Sequence, residues 1–248
     1  MTRLWKALCL TVAMVALALF AISCSSGGTS YRVINAIAYY PPYQTNGGFD
    51  LEMNGSLVFS NVMFTNINPP GKDAYQSIPS GSDTLDVFAH GDTINGGQPI
   101  FSGSFTANGR TQYTLLLMGD SRTNPYAVQP FTDDNNVPST GNFALRVIDA
   151  SNNLGKQQLD IYVVGSVSIV TGPNPPQPNA TIVYNQASAY IAQPAGTWFL
   201  VVTQHGGHVP ILFNSYTPAA LQVRTVVLID GQNGNGVGNP PLFVNDLN

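Results

Sequence analysis

Apolar and polar residues alternate over short stretches of this chain, and no stretch after residue 30 repeats them with a helical period. A period of two predicts β-strands with one buried face. Residues 112–118 and 222–229 carry apolar side chains on both faces for part of their length, which indicates central strands of a sandwich. Asn54-Gly55 separates two alternating segments and favours a two-residue hairpin, because both turn positions need positive φ.

The amino terminus has the three parts of a bacterial export signal. Arg3 and Lys6 supply positive charge, residues 7–22 are mostly apolar, and the small residue Ser23 precedes Cys24. This pattern is typical of a signal peptide, whereas a membrane-spanning helix needs about 20 apolar residues. The sequence therefore predicts a signal peptide over residues 1–23 and a flexible tether over residues 24–30.

Residues 21–24, Ala-Ile-Ser-Cys, resemble the lipobox of bacterial lipoproteins. The resemblance implies cleavage before Cys24, diacylglycerol on its sulfur and acylation of the new amino terminus, and several acyl chains hold a protein firmly to a bilayer. Ser25 in place of aspartate resembles lipoproteins sorted to the outer membrane. The alternative is an ordinary cleaved signal with an incidental Cys24. Cys9 leaves with the signal, so no disulfide or cysteine cluster is expected afterwards.

Several short motifs occur twice in the same order, 110 to 115 residues apart. The pairs are 31–36 with 145–150, 50–56 with 160–166, Tyr75 with Tyr190, Thr114-Leu115 with Thr225-Val226, and 131–134 with 243–246. Constant order and spacing indicate two copies of one domain, residues 31–143 and 144–248. Roughly seven short strands in each copy predict an all-β fold of two tandem immunoglobulin-like or Greek-key β-sandwich domains.

The charge of the chain excludes one class of partner. Charged residues make up 9% of the sequence, and the formal net charge is -4. Loss of Arg3 and Lys6 with the signal leaves 7 basic residues (9 - 2) against 13 acidic ones, a net charge of -6. Nucleic acid is not an expected partner, because its binding needs a basic face.

Two arginines and two aspartates occupy matching places in the copies. Arg32 and Arg146 begin equivalent strands, and Asp50 and Asp160 begin the next equivalent ones. One interpretation is a repeated Arg–Asp pair that ties neighbouring strands together, and the other is separate surface charges. Both interpretations give these residues a structural role.

The same motifs resemble the bacterial family catalogued as domain of unknown function 4397. Its pattern has an Arg-Val-x-His-Ala opening, an Asp-Val-Tyr-Val-like strand ending in glycine, a Pro-Ala-Gly turn and a Tyr-Thr-Leu-x-x-x-Gly strand. The corresponding residues here are 32–36, 50–55, 79–81 and 113–119. The resemblance implies a secreted or surface-anchored β-domain and supplies no catalytic residues. Asn35 and Asp149 replace the usual histidine, so no role of that histidine carries over.

No residue set for catalysis emerges from the sequence. His205 and His208, separated by two glycines, could chelate a metal, but a site needs three or four ligands, so a glycine turn is preferred. There is no Gly-x-Ser-x-Gly elbow, and Glu52 is the only glutamate. The sequence therefore predicts a protein that is not an enzyme and has no cofactor and no metal.

The densest acidic run, residues 133–136, lies where the two copies join. A calcium site is one alternative here, because calcium takes oxygen ligands from such loops. A solvated linker is the preferred interpretation.

Three tyrosines flank two prolines in the first copy alone: Tyr39, Tyr40 and Tyr43. Their flat amphipathic rings suit stacking on sugars or packing on a protein partner, or they cover the edge of their own core. The sequence thus predicts a lipid-anchored envelope protein with a structural or protein-interaction role, whose partners are the membrane and an envelope protein. The alternative is a glycan- or small-ligand-binding surface lipoprotein that uses the loop of residues 39–43.

Overall fold

The computed structural model describes residues 29–38, 48–70, 75–78, 80–92, 96–120, 124–133, 136–231, 236–238 and 240–247. Within these ranges the regular structure is β-strand, apart from a 3₁₀ turn at Asn152–Leu154 and one helix, α1, at Val167–Thr171. The predicted all-β sandwich class is confirmed. The sequence did not reveal α1, because its 5 residues are too few to show a helical period. No helix in these ranges is long and apolar enough to cross a membrane.

The first half of the chain forms two sheets. Its described strands are β1 (Thr29–Asn35), β2 (Phe49–Met53), β3 (Ser56–Val62), β4 (Ile67–Asn68), β5 (Gln76–Ile78), β6 (Gly81–Ala89), β7 (Phe101–Ala107), β8 (Gln112–Met118) and β9 (Ala127–Asp133). Inner sheet 1 has the order β4-β1-β8-β9, with β5 also paired to β1, and outer sheet 1 has the order β3-β2-β6-β7. β1 and β8 run parallel, and the other neighbours in these sheets run antiparallel.

The second half repeats this arrangement. Its described strands are β10 (Asn142–Asp149), β11 (Leu159–Val164), β12 (Ala180–Ile182), β13 (Ile191–Pro194), β14 (Trp198–Gln204), β15 (Pro210–Tyr216), β16 (Val223–Leu228) and β17 (Leu242–Leu247). Inner sheet 2 has the order β13-β10-β16-β17, and outer sheet 2 has the order β12-β11-β14-β15. The parallel pair recurs as β10 and β16. We call β1 to β9 repeat 1 and β10 to β17 repeat 2.

Local sequence explains where some strands begin and turn. Asn54 and Gly55 both have positive φ, 51° and 72°, and form the predicted hairpin between β2 and β3. β1 begins at Thr29, inside the segment expected to be a tether, and β10 begins at Asn142, two residues before the expected start of the second copy.

The two inner sheets pack against each other. Alternate residues of β1 point to different cores: Val33 belongs to the core between the sheets of repeat 1, whereas Ile34 belongs to a middle core shared with Ile148 and Val227 of repeat 2. The layer order is therefore outer sheet 1, inner sheet 1, inner sheet 2, outer sheet 2. The central position predicted for residues 112–118 is confirmed, but both faces are apolar because the second repeat covers one of them.

The middle core makes the two repeats one packed body. Nine of its hydrophobic side chains are buried, and full burial of one large aliphatic side chain is worth about 1.5–3 kcal/mol relative to exposure. Domains in one chain move relative to each other unless their interface is large and apolar. This interface is apolar at its centre, so we expect the repeats to hold a fixed orientation.

Candidate functional site

Arg32 lies on β1 of repeat 1 and reaches into repeat 2. Its Nε donates to the Thr114 hydroxyl on the neighbouring strand at 2.8 Å, and its Nη1 donates to the backbone carbonyl of Asn245 at 2.6 Å. Its Nη2 donates to the carboxylate of Asp246. The side chains of Arg32 and Asp246 are 2% and 0% exposed, so this ion pair is fully desolvated.

Arg146 of repeat 2 makes the equivalent contacts with repeat 1. Arg146 Nε donates to the Thr225 hydroxyl at 2.8 Å, and Nη1 donates to the carbonyl of Thr132 at 2.7 Å. Arg146 Nη2 donates to the carboxylate of Asp133. Each arginine therefore donates to the aspartate on the last strand of the other repeat, and Arg32 Nη2 also lies 3.4 Å from Asp133 Oδ2 of its own repeat.

A tyrosine completes each half. The hydroxyl of Tyr75 donates to Asp133 at 2.7 Å, and that of Tyr190 donates to Asp246 at 2.8 Å. Each tyrosine ring also lies over the arginine of its own repeat, 5.1 Å from guanidinium carbon to ring centroid. We call the eight residues the inter-repeat network. They are Arg32, Tyr75, Thr114 and Asp133 with Arg146, Tyr190, Thr225 and Asp246.

Both arginines of the network stay charged despite burial. Desolvation alone would lower the pKa of Arg32, but the carboxylates of Asp133 and Asp246 outweigh it and raise that pKa. The pKa of Arg146 is raised by the same balance. Loss of one partner from such a buried pair typically costs 3–5 kcal/mol, because the other charge stays buried without compensation. The network therefore makes the two repeats depend on each other.

Two sequence interpretations are corrected here. The proposed Arg32–Asp50 and Arg146–Asp160 pairs do not form, because both arginines face the other repeat. Asp133 does not belong to a solvated linker or a calcium loop, because it is buried and accepts from Arg146. Residues 134 and 135 lie outside the described ranges.

Asp50 and Asp160 hold a different repeated motif, which the sequence reasoning missed. Asp160 accepts from His205 Nδ1 at 2.9 Å and from the Gly206 N–H at 2.8 Å, at the turn after β14. Asp50 accepts in the same way from His90 Nδ1 at 2.8 Å and from the Gly91 N–H at 3.1 Å. We call these the Asp–His-Gly clamps. The recurrence of His-Gly after β6 and β14 was the signal that could have found them.

The clamps explain two of the three histidines without a metal. His205-Gly206 forms a turn, as preferred from the sequence, and its Nδ1 is engaged by Asp160. Within the described ranges, no group of three or more His, Cys, Asp or Glu side chains is placed to hold a metal ion.

Asn35 and Asp149, which replace the family histidine, sit in equivalent turns at the ends of β1 and β10. Asn35 Oδ1 accepts from the Ile37 N–H at 2.8 Å, and Asp149 Oδ1 accepts from the Ser151 N–H at 3.0 Å. Both side chains are 0% exposed. This position therefore shapes the end of an inner strand in both repeats.

Four sequence-predicted site residues lie outside the described ranges. They are the lipid-attachment candidate Cys24 and the ligand-contact candidates Tyr39, Tyr40 and Tyr43. Their roles stay predictions.

Comparison with solved structures gives low scores. A chain from a study of α-glucan binding by a streptococcal virulence factor is 12% identical, with 83% of this chain and 94% of that chain covered and a TM-score of 0.25. A chain from a study of α-glucan recognition by family 41 carbohydrate-binding modules of streptococcal virulence factors is 13% identical. The match covers 85% of this chain and 97% of that chain, with a TM-score of 0.26. The Bacillus anthracis TIE protein is 10% identical, with 82% of this chain and 34% of that chain covered and a TM-score of 0.23. These scores are too low to support an argument about this chain.

No curated protein matches the sequence significantly. A family model does match, over residues 30–162, which is 133 of the 248 residues (162 - 30 + 1) and so more than half of the chain. The matched segment contains Arg32, Asp133 and Arg146. The chain belongs to the family described as Domain of unknown function (DUF4397).

Proposed function

We propose that this chain is a lipid-anchored, non-catalytic protein of the cell envelope that presents two β-repeats as one rigid surface for protein interaction. The observation that carries this proposal is the reciprocal inter-repeat network. Both of its arginines and both of its aspartates are buried and engaged in joining the repeats. These charged groups therefore serve the architecture and are buried among the residues that the structure describes.

The clamps support the same conclusion. Asp50 and Asp160 are almost fully buried, and each orients a His-Gly turn. Hydrolysis of the Ser-His-Asp type would need a nucleophile in reach of the free imidazole nitrogen, and the serine motif for this is missing from the sequence. We accordingly propose that the protein is a scaffold and not an enzyme.

The proposed anchor sets how far the body can lie from the bilayer. Cys24 precedes the first residue of β1, Thr29, by five positions (29 - 24). A fully extended chain spans at most about 3.6 Å per residue, so this link reaches no further than about 18 Å. A lipid on Cys24 would hold repeat 1 close to the membrane surface, where it can meet other envelope components.

Metabolic labelling with radioactive palmitate tests the anchor in cells that export the full chain. We expect label on the wild-type protein and none on Cys24→Ala. Cys9→Ala is the matched control, because this cysteine lies in the predicted signal and its variant should keep the label. Label on Cys24→Ala, or a wild-type protein that is unlabelled and free in the soluble fraction, would overturn the anchored function.

The interaction role is tested separately by cross-linking of intact cells, followed by identification of the adducts. We expect a discrete envelope-protein adduct with the wild-type chain and its loss when Arg146→Met disrupts the inter-repeat network. Adducts that do not differ from those of an unrelated lipoprotein would contradict the scaffold proposal.

A further inference from the structure

A cavity of about 370 Å³ lies at the junction of the two repeats. Met118, Asn124, Pro125 and Ala127 of repeat 1 line one side, and Val183, Tyr184 and Asn185 of repeat 2 line the other. Small-molecule sites typically measure ~300–1,000 Å³ and favour domain interfaces. The volume suits a ligand at the small end of this range.

The lining combines apolar walls with a few polar groups. Met118 and Val183 are apolar, and the Tyr184 ring packs partly against the middle core. Asn185 Nδ2 is used internally, donating to Gln129 Oε1 at 3.3 Å. Asn185 Oδ1 is buried but accepts no hydrogen bond from any residue that the structure describes. An unsatisfied buried acceptor costs about 1–3 kcal/mol, so this atom is suited to a donor supplied by a ligand.

The electrostatics of the cavity select against anions. Burial raises the pKa of Tyr184, and coulombic interactions with Asp149, Asp230 and Asp120 raise it further, so carboxyl groups and not cations act on this ring. Among the residues that the structure describes, Lys156 is the one cation in the lining, and it is exposed. A neutral ligand with hydroxyl donors and an apolar face therefore fits better than a carboxylate or a phosphate.

The equivalent turn of repeat 1 shows whether the turn itself requires the side chains of Tyr184 and Asn185. Thr65 and Asn185 have the same φ of 65°, and their N–H groups donate to the carbonyls of Asn35 and Asp149, both at 2.8 Å. The turn is thus the same in both repeats. Repeat 1 builds it with Phe64-Thr65 and repeat 2 with Tyr184-Asn185, so the phenol and the amide are not required by the turn.

We propose that the inter-repeat cavity binds one neutral pyranose unit, with the sugar's apolar face on Tyr184 and a sugar hydroxyl donating to Asn185 Oδ1. An aromatic ring offers a flat surface for such a face. The proposal does not depend on the lipid anchor.

The test uses the full chain in detergent micelles and saturation-transfer NMR. The probes are methyl glycosides of glucose, galactose, mannose and N-acetylglucosamine, with methyl glucuronate as the anionic counterpart. We expect saturable binding of at least one neutral glycoside, weaker by at least tenfold for glucuronate. Asn185→Ala should weaken the binding at least tenfold, as should Tyr184→Ala.

Phe64→Ala and Thr65→Ala are the matched controls, because they change the equivalent turn in repeat 1 and should leave affinity unchanged. Tyr184→Phe keeps the ring if Tyr184→Ala fails to fold, and it should retain stacking. Absence of saturable binding by every neutral glycoside overturns the proposal. Binding that survives Asn185→Ala, or that is lost only when Tyr39, Tyr40 and Tyr43 are replaced, overturns it as well.

Discussion

Arg32 on the first strand of repeat 1 donates to the carboxylate of Asp246, 214 residues further along the chain and on the last strand of repeat 2. Arg146 and Asp133 form the reverse contact. Each repeat thus supplies the counter-charge that the other one needs. If one repeat lost its last strand, the buried arginine of the other repeat would lose the carboxylate to which it donates. The two repeats are therefore expected to fold and unfold together.

A double-mutant cycle tests this dependence. Arg32→Met and Asp246→Leu should each destabilise the protein by about 3–5 kcal/mol, because each leaves the buried network with one charge that has no counter-charge. The double variant should lose less than the sum, with a coupling of about 1–3 kcal/mol, since no uncompensated charge remains. Urea unfolding of the four proteins gives the free energies.

Arg32→Met combined with Asp50→Leu is the control for this cycle. The sequence suggested this pair, but Asp50 instead accepts from His90. Their effects should add within about 0.5 kcal/mol. Additive behaviour of Arg32 with Asp246, or strong coupling of Arg32 with Asp50, would contradict the observed pairing.

The members of the inter-repeat network all lie in motifs that the sequence repeats, but the sequence did not reveal which of them pair. Arg32, Thr114 and Asp133 all lie in motifs that recur in the second half. A repeated motif has the same spacing whether its residues pair within one copy or across two copies. Only the packing of the two inner sheets decides whether the residues pair within a repeat or between repeats. The alternation of apolar and polar residues does not show which side of a strand faces the other repeat.

Other features of the structure differ in how clearly the sequence predicts them. The Asn54-Gly55 hairpin was predictable because the dipeptide itself fixes the turn. The Asp160–His205 clamp was not, because its members lie 45 residues apart and pair through the geometry of outer sheet 2. The cavity beside Tyr184 was also hidden, since it exists only where the two repeats meet.

The Asp160 clamp should depend on its carboxylate more than on its histidine. Asp160→Ala leaves the Gly206 N–H and the Thr181 hydroxyl without their acceptor and should cost about 1–3 kcal/mol. The His205 side chain is 56% exposed, so His205→Ala should cost less than about 1 kcal/mol. Urea unfolding at neutral pH measures both, and a larger loss for His205→Ala would contradict this order.

The same clamp should give a pH dependence at the acid end. Burial alone would raise the pKa of Asp160, but hydrogen bonds from His205, Gly206 and Thr181 outweigh it and lower that pKa. A lowered pKa means stability that is present above the ordinary value of 3.8 and is lost as pH falls through the folded-state value. The wild type should therefore lose more stability below about pH 4 than Asp160→Ala does.

Gly119 should be intolerant of any side chain. Its φ is 101°, and a Cβ there would lie 2.3 Å from the backbone oxygen of Pro125. Gly119→Ala should destabilise the protein by more than about 2 kcal/mol, through backbone strain and this overlap. Gly165→Ala is the control, because a Cβ there meets nothing within 4 Å, and it should stay within about 0.5 kcal/mol. Equal melting temperatures for the two variants would contradict the prediction.

Asp149 differs from its counterpart Asn35 in one hydrogen bond. Asn35 Nδ2 donates to the Val62 carbonyl at 2.9 Å, whereas Asp149 Oδ2 has no hydrogen-bond partner among the described residues. Burial raises the pKa of Asp149 to about 7, the Ser151 N–H opposes the rise, and the charge of Asp230 adds to it. Protonation therefore lets this carboxyl resemble the amide of Asn35.

The raised pKa predicts the opposite pH trend from that of the clamp. Between the ordinary value of 3.8 and about 7, the folded state holds a proton that the unfolded state has released, so stability falls as pH rises through this window. Asp149→Asn should remove the fall and be more stable than the wild type by a few kcal/mol at about pH 8, at roughly 1.4 kcal/mol per pKa unit. Asn35→Asp should introduce a similar fall in repeat 1. Urea unfolding from about pH 4 to pH 8 checks both, and parallel profiles for wild type and Asp149→Asn would show that Asp149 does not titrate in this range.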